Sequence, residues 1–201
     1  MTATAARAGV FLDRDGVLNE LVLDRVSGRP ESPLRVADVR LVPGAAAAAA
    51  QMQRHGFALV CVSNQPAAAK GRVSTAELLA VHERVMELLR AEGVRIAASR
   101  LCLHHEQGVV PALTGPCECR KPAPGMLVEA ASALLIDLRI SWMVGDTDAD
   151  IVAGKAAGCM TALIEHPGSV HKRLQAVSPD LIADSLTDVA ARLTTETSKA
   201  I

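Results

Sequence analysis

Two aspartates at the end of a short apolar run are the residues best suited to chemistry. The run from Val10 to Asp13 continues into Asp15 and Gly16, so the carboxylates lie at positions i and i+2. Alternate side chains of an extended chain share a side, so both can converge on one ligand. One can hold a divalent cation or attack phosphorus while the other handles the leaving group's proton. An isolated pair more often only solvates a turn, here supplied by Gly16.

Two further apolar runs end in polar residues. Ser63, Asn64 and Gln65 follow the run that starts at Ala58, and the sequence Gly-Asp-Thr-Asp-Ala-Asp occupies residues 145–150. The functional groups of a parallel sheet collect beyond the carboxyl ends of its strands. We therefore expect the three polar clusters to lie close together.

A basic pair, Arg120 and Lys121, precedes Pro122. A lysine can bind phosphate as a point charge, and the proline restrains the chain just before it. The pair therefore suits phosphate binding, although an isolated basic pair is more often an exposed turn.

Four metal-ligating side chains come in two i, i+2 pairs: Cys102 with His104 and, twelve residues later, Cys117 with Cys119. Four such ligands close a tetrahedral site of the kind that holds structural zinc. A single Cys-x-Cys would more often be buried thiols, but the second pair favours zinc. His105 is an alternative ligand, although its side chain should point away if that of His104 points inward.

Strands and helices alternate along most of the chain. The predicted strands cover 10–13, 58–63, 141–145 and 160–165, and the predicted helices cover 43–56, 74–92, 124–136 and 149–158. Ser74 can cap its helix, where Glu77 completes a capping box. The alternation predicts an α/β fold, a parallel sheet with helices on both faces. Residues 21–42 and 104–124 break the pattern and are predicted to be long loops.

Composition restricts the class of protein. The chain has 201 residues, which suits a single domain over 1–201, and a formal net charge of -1. Near-neutral charge and only three aromatic residues argue against nucleic acid as a partner, and no apolar stretch is long enough to span a membrane. The odd count of five cysteines suits a reducing compartment, so we expect a cytoplasmic protein. We also expect the chain to act as a monomer.

In chain order, the polar clusters and the basic pair resemble the four motifs of the haloacid dehalogenase (HAD) superfamily of phosphatases. The resemblance spans roughly residues 9–165 and is closest to the zinc-bearing D-glycero-D-manno-heptose 1,7-bisphosphate 7-phosphatases, which are related to the histidinol-phosphate phosphatase domain. It implies a Rossmann-like sheet without a large cap domain and a zinc-stapled loop at about 102–121. The implied activity is magnesium-dependent hydrolysis of a small sugar phosphate, with histidinol phosphate or another small phosphomonoester as the alternative substrate.

The resemblance also implies roles for single residues. Asp13 would be the nucleophile and Asp15 the general acid and then base, while Ser63 and Lys121 would stabilise the phosphoryl group. Magnesium would be held by Asp13, by the backbone carbonyl of Asp15 and by Asp146. Zinc would be held by Cys102, His104, Cys117 and Cys119. The expected substrate-binding residues are Arg14, Gly16, Asn64, Gln65 and Arg120.

Three features of the chain leave questions open. Asp150 lies four residues after Asp146 and would share its helix face, so it either orients the site or is an ordinary acid at a helix start. Thr147 replaces a lysine that is common in the heptose phosphatases, so any contact of that lysine is lost. The segment from Asn19 to Val42, expected to set specificity, is longer than the resemblance leads us to expect.

Two other classes of function fit parts of the pattern. One is a zinc-stapled phosphate-binding scaffold without chemistry, and the other is a zinc-dependent nucleic-acid binder. The intact set of Asp13, Asp15, Lys121 and Asp146 argues against the scaffold. The charge and the scarcity of aromatic residues argue against the nucleic-acid binder.

Overall fold

The computed structural model describes residues 7–174 and 177–197. The strands are β1 (Gly9–Leu12), β2 (Val22–Asp24), β3 (Arg29–Glu31), β4 (Ala58–Asn64), β5 (Ala98–Cys102), β6 (Trp142–Gly145), β7 (Met160–Ile164) and β8 (Leu181–Ala183). The helices are α1 (Ala45–Arg54), α2 (Thr75–Ala91), α3 (Gly125–Leu134), α4 (Asp148–Ala157) and α5 (Leu186–Thr197). Short 3-10 segments cover Val36–Asp38, Pro111–Leu113, Leu138–Ile140 and Pro167–Lys172.

Six strands form one parallel sheet in the order β5-β4-β1-β6-β7-β8. Strand β1 lies inside this sheet and pairs in parallel with β4 on one side and with β6 on the other. All four residues of β1 are buried, as expected for a continuous apolar strand covered on both faces. The carboxyl ends of β1, β4 and β6 therefore meet at one edge, and this edge carries the polar clusters.

Helices cover both faces of the sheet and create two apolar cores. Val10 and Leu12 point into the core formed with α1, α2 and α5, whereas Phe11 points into the core formed with α3 and α4. This alternation follows from the period of two along a strand. The parallel sheet with helices on both faces is confirmed. Among the described residues no large cap domain interrupts it.

The structure also corrects the predicted elements. The capping box is present, because the amide of Glu77 donates to Ser74 Oγ (3.2 Å) and the amide of Ser74 donates to Glu77 Oε2 (2.8 Å). The uninterrupted loop predicted for 21–42 is wrong, since β2 and β3 pair there as an antiparallel hairpin. These strands have only three residues each and remain partly exposed, so they are too short to show a clear period. Strands β5 and β8 and helix α5 were not predicted.

None of the helices in the described residues has the length and apolar character that a membrane-spanning helix requires.

Helix α4 lies directly on the sheet at Gly154. A Cβ atom at this position would come within 2.6 Å of Met143 Cβ and 2.7 Å of Thr161 Cγ2, both on neighbouring strands. This contact fixes the helix that follows Asp146.

We predict that Gly154→Ala lowers the free energy of unfolding by about 1–3 kcal/mol, because overpacking outweighs the higher helix propensity of alanine. Denaturant unfolding measures the change. Ala156→Ser, on the exposed face of the same helix, is the control and should change stability by less than about 0.5 kcal/mol. A stabilised Gly154→Ala variant would contradict the packing argument.

Candidate active site

A cavity of about 380 Å³ lies at the carboxyl edge of the sheet. Strand β1 leads into Asp13 and Asp15, β4 ends at Ser63 and Asn64, and β6 leads into Asp146. The predicted residues that line the cavity are Asp13, Asp15, Ser63, Asn64, Gln65, Arg120, Lys121 and Asp146. The structure therefore brings together three strand ends and the basic pair, as the sequence predicted.

Lys121 is the buried cation of this cavity. Its Nζ lies 2.9 Å from Asp13 Oδ1 and 2.6 Å from Asp150 Oδ1, and it donates to the carbonyl of Val62 at 2.8 Å. The side-chain amide of Asn64 pairs with the backbone of Lys121, donating to its carbonyl (2.8 Å) and accepting from its N–H (3.0 Å). Asn64 thus fixes the chain that carries the lysine.

Asp15 is held by four side chains. Arg14 donates to both carboxylate oxygens at 3.1–3.2 Å, and Asn19, Ser32 and Gln65 donate at 3.0, 2.8 and 2.5 Å. Burial alone would raise the pKa of this carboxyl, but the guanidinium and the hydrogen bonds together hold it below its ordinary value. Asp15 is therefore ionised and fixed in orientation at neutral pH.

Three other carboxylates lie close together and share a single cation, Lys121. One oxygen from each of Asp13, Asp146 and Asp150 lies within 4.8 Å of the others. Burial, reinforced by repulsion between these neighbours, raises the pKa of Asp13 to about 6 and that of Asp146 to about 8, although Lys121 opposes both shifts. Buried oxygen donors that repel one another are a donor set that a hard divalent cation would relieve.

Asp150 fulfils both roles considered for it. Its Oδ2 accepts from the backbone N–H of Thr147 (3.1 Å) and from Thr147 Oγ1 (2.6 Å), forming the capping box of α4. Its Oδ1 contacts Lys121. Thr147 therefore serves as the N-cap of this helix and helps to orient Asp150.

A second cluster consists of the cysteine and histidine side chains between Cys102 and Cys119. The Sγ atom of Cys119 is 3.2 Å from that of Cys102 and 3.4 Å from that of Cys117, and it is 3.5 Å from Nδ1 of His104. These spacings are close to the roughly 3.8 Å that separates sulfur ligands bonded to one tetrahedral zinc at about 2.3 Å. The four predicted ligands form one group that could hold a metal ion.

The alternative ligand, His105, lies outside the cluster, because its Nδ1 accepts from the amide of Gln107 at 3.0 Å. Arg120 connects the cluster to the cavity: it lines the cavity and donates to the carbonyl of His104 at 3.2 Å. A metal at the cluster would thus order the chain that leads to the basic pair.

Arg14 and Gly16, which are predicted to bind substrate, are not among the residues that line the cavity. Arg14 is fully buried, its guanidinium grips Asp15, and its N–H donates to Asp13 Oδ1 at 2.7 Å. Gly16 has a φ of 81°, and a Cβ there would overlap the carboxylate of Asp146. Arg14 thus contacts two carboxylates of the site, and Gly16 leaves room for a third. Their binding of substrate stays a prediction.

Sequence reasoning missed several polar groups that hold the carboxylates. Asn19 and Ser32 donate to Asp15, and the hydroxyl of Ser169 donates to Asp146. Ser32 follows the unpredicted hairpin, and Ser169 lies in the 3-10 segment Pro167–Lys172. Asn19 lies only four residues after Asp15, so a local turn could have suggested it. No local spacing distinguishes Ser32 and Ser169, because both reach the site only through the tertiary fold.

Comparisons with known proteins agree with this geometry. A family model described as HAD-hydrolase-like matches residues 118–189. The D-glycero-β-D-manno-heptose-1,7-bisphosphate 7-phosphatase of Rhodopseudomonas palustris is 38% identical over 159 residues, which cover 79% of this chain and 84% of the relative. The enzyme of the same name from Yersinia pestis is 32% identical, covering 92% and 95% of the two chains.

A solved structure is also similar over nearly the whole chain. It is the D,D-heptose 1,7-bisphosphate phosphatase from B. bronchiseptica complexed with magnesium and phosphate. The TM-score is 0.79 with 28% sequence identity, and the match covers 94% of this chain and 99% of the other.

We predict that Asp146→Asn stabilises the protein in metal-free buffer at pH 8. Folding raises the pKa of Asp146, so at pH values above the ordinary pKa of an aspartate its ionisation opposes folding. The asparagine amide does not ionise and therefore removes this cost. We expect a gain of at least about 1.4 kcal/mol, the equivalent of one pKa unit, that shrinks as the pH falls towards 4.

Denaturant unfolding at several pH values measures this gain. Asp184→Asn is the control, because Asp184 is exposed and the same substitution there should have little effect at any pH. An equal loss of stability at all pH values in Asp146→Asn would contradict the interpretation.

Proposed function

Because the chain belongs to the D-glycero-β-D-manno-heptose-1,7-bisphosphate 7-phosphatase family of HAD-like hydrolases, we propose that it removes the C7 phosphate from a heptose 1,7-bisphosphate. The products would be heptose 1-phosphate and inorganic phosphate. The observation that carries the proposal is the convergence of Asp13, Asp15, Lys121 and Asp146 on one cavity. This set can transfer a phosphoryl group to a carboxylate and then from the carboxylate to water, which releases inorganic phosphate.

The orientation of Asp13 suits in-line attack. Its Oδ1 accepts from the N–H of Arg14 and contacts the ammonium of Lys121, while no described residue hydrogen-bonds its Oδ2. One oxygen is thus anchored, and the other is available to bond phosphorus. The leaving alkoxide departs with the ester electrons, and an aspartyl-phosphate forms on Asp13.

Asp15 is placed to move the proton. Its ionised form is favoured in the free chain, and a bound phosphate dianion beside it would raise its pKa, allowing it to carry a proton to the leaving oxygen. After departure of the alcohol, the same carboxylate can accept the proton of the water that attacks the aspartyl-phosphate. Gln65 and Ser32 hold the group in place during both steps.

Ser63 and Lys121 would stabilise the charge on the transferring group. Ser63 Oγ accepts from Gln65 Nε2 at 3.0 Å, which leaves its own proton free to donate to a phosphate oxygen. The ammonium of Lys121 stays charged, because Asp13 and Asp150 hold its pKa above the ordinary value despite burial. Asn64 and Gln65 would support these two groups, and Arg120 would meet the rest of the substrate.

Two metals fit the donor sets. Asp13, Asp146 and the backbone carbonyl of Asp15 would hold magnesium, which offsets the repulsion between a carboxylate nucleophile and an anionic phosphate. Cys102, His104, Cys117 and Cys119 would hold zinc in a structural role, since four protein ligands close the tetrahedron.

We further propose a single-domain monomer over 1–201 that acts in the cytoplasm on a small phosphorylated sugar. All five cysteines are free, which suits a reducing compartment. Residues 1–6, 175–176 and 198–201 lie outside the described part of this domain.

We predict that Asp13→Asn lowers kcat for phosphate release at least about a thousandfold, because the amide cannot form the covalent intermediate. Phosphate release with magnesium present measures the rate, and circular dichroism checks the fold. Asp184→Asn should keep full activity.

A substrate panel accompanies this variant. Heptose 1,7-bisphosphate should be hydrolysed with the highest kcat/KM, above fructose 1,6-bisphosphate and histidinol phosphate. Full activity of Asp13→Asn would remove the proposed nucleophile, and a strong preference for histidinol phosphate would overturn the proposed substrate.

We predict that zinc removal exposes residues 102–121 to protease, because bound metal orders the chain through its ligands. Limited proteolysis with mass spectrometry, before and after chelation, locates the new cleavage sites. Cys119→Ser should show the same sites without chelator, whereas Cys159→Ala, at a buried thiol away from the cluster, should not. Unchanged protection of the loop after metal loss would contradict the structural role.

A further inference from the structure

We propose that the ion pair between Glu31 and Lys172 is a positioning device that holds the hydroxyl groups of Ser32 and Ser169 on the carboxylates of Asp15 and Asp146. The inference rests on the proposed function, because it takes these carboxylates as the proton-transfer group and a magnesium ligand. The two serines and the ion pair are called the clasp.

One half of the clasp belongs to the hairpin. Glu31 is the last residue of β3, and the next residue, Ser32, donates from Oγ to Asp15 Oδ2 at 2.8 Å. The hairpin has only two strands of three residues, and such an isolated ribbon is marginal in water. Its contacts with the rest of the protein must therefore hold Ser32 in place.

The other half belongs to the 3-10 segment Pro167–Lys172. Ser169, which is buried in this segment, donates from Oγ to Asp146 Oδ2, and Lys172 ends the segment. Asp146 is a proposed magnesium ligand, and the hydrogen bond from Ser169 to one of its oxygens fixes the orientation of this carboxylate. The segment thus supports the second carboxylate as Ser32 supports the first.

The ion pair joins these halves across the cavity. Lys172 Nζ lies 2.8 Å from Glu31 Oε2, both side chains are about one-third exposed, and both residues line the cavity. The backbone of Gly168 also packs closely against side chains of the hairpin region, because a Cβ on Gly168 would come within 3.0 Å of side-chain atoms of Leu21 and Pro30. The two segments, distant in sequence, are therefore packed as well as paired.

A second ion pair shows what is specific to the clasp. Arg72 Nη2 lies 2.6 Å from Asp24 Oδ1 and ties the hairpin to the chain after β4. Neither neighbour of Asp24 in the chain donates to a site carboxylate, whereas Glu31 directly precedes Ser32. Among the ion pairs of the described residues, only Glu31–Lys172 connects segments that each place a hydroxyl on one of these carboxylates.

Charge exchange tests the proposal in the full-length, zinc-loaded protein. Glu31→Lys, Lys172→Glu and the double variant are compared with wild type for the magnesium dissociation constant without substrate, and for kcat and KM of phosphate release. Each single variant should weaken magnesium binding and lower kcat by roughly 3- to 10-fold, and the double variant should recover to within about twofold of wild type.

Control variants separate positioning from other effects. Lys155→Glu breaks a comparable exposed pair with Asp180 outside the cavity and should leave all three constants unchanged. Ser169→Ala should weaken magnesium binding as Lys172→Glu does, and combining the two should add little, since they act in one chain of contacts. If a charge reversal prevents folding, Glu31→Gln and Lys172→Met replace it and should weaken magnesium binding in the same direction.

The outcomes distinguish this inference from the proposed function. Unchanged magnesium binding in the single variants, a change confined to KM, or no recovery in the double variant would overturn the clasp, because the pair would then be a surface contact or a direct substrate contact. Failure of the wild type to bind magnesium or to release phosphate would instead overturn the proposed function.

Discussion

The site depends on the contact of one buried ammonium with buried carboxylates. Lys121 lies between Asp13 and Asp150, and Asp146 completes the group, so the ionised cluster keeps two uncompensated negative charges. The charge of Asp15 is separately balanced by Arg14. The imbalance matches one divalent cation, and burial makes it costly without that cation. The raised pKa values of Asp13 and Asp146 express this cost.

Much of the fold around this cluster could be predicted because the central strands are uniformly apolar. Buried parallel strands show as runs such as Val10–Leu12, and each run ends where polar residues begin. The same rule predicts from the sequence alone that Asp13, Ser63 and Asp146 lie at one edge of the sheet. The Cys/His cluster is equally predictable from the sequence, because the i, i+2 spacing within each pair brings two ligands to one side of the chain.

The remaining features have no local signature. Residues 22–31 fold as a hairpin that contacts segments distant in sequence, and strand β5 lies at the sheet edge with only partial burial. The inward direction of Arg14 was also unforeseen, since a charged residue beside two aspartates suggests a ligand contact. In the structure the guanidinium of Arg14 is buried and donates hydrogen bonds to Asp15, and Arg14 does not line the cavity.

The side-chain amide of Asn64 fixes the backbone of Lys121 to the end of β4. Its two hydrogen bonds to the backbone of Lys121 join the end of β4 to the chain just after the loop that carries Cys117 and Cys119. The position of the ammonium is thus set independently of how many residues that loop contains. Changes in the length of the tip between residues 106 and 116 should therefore leave the ammonium of Lys121 in place.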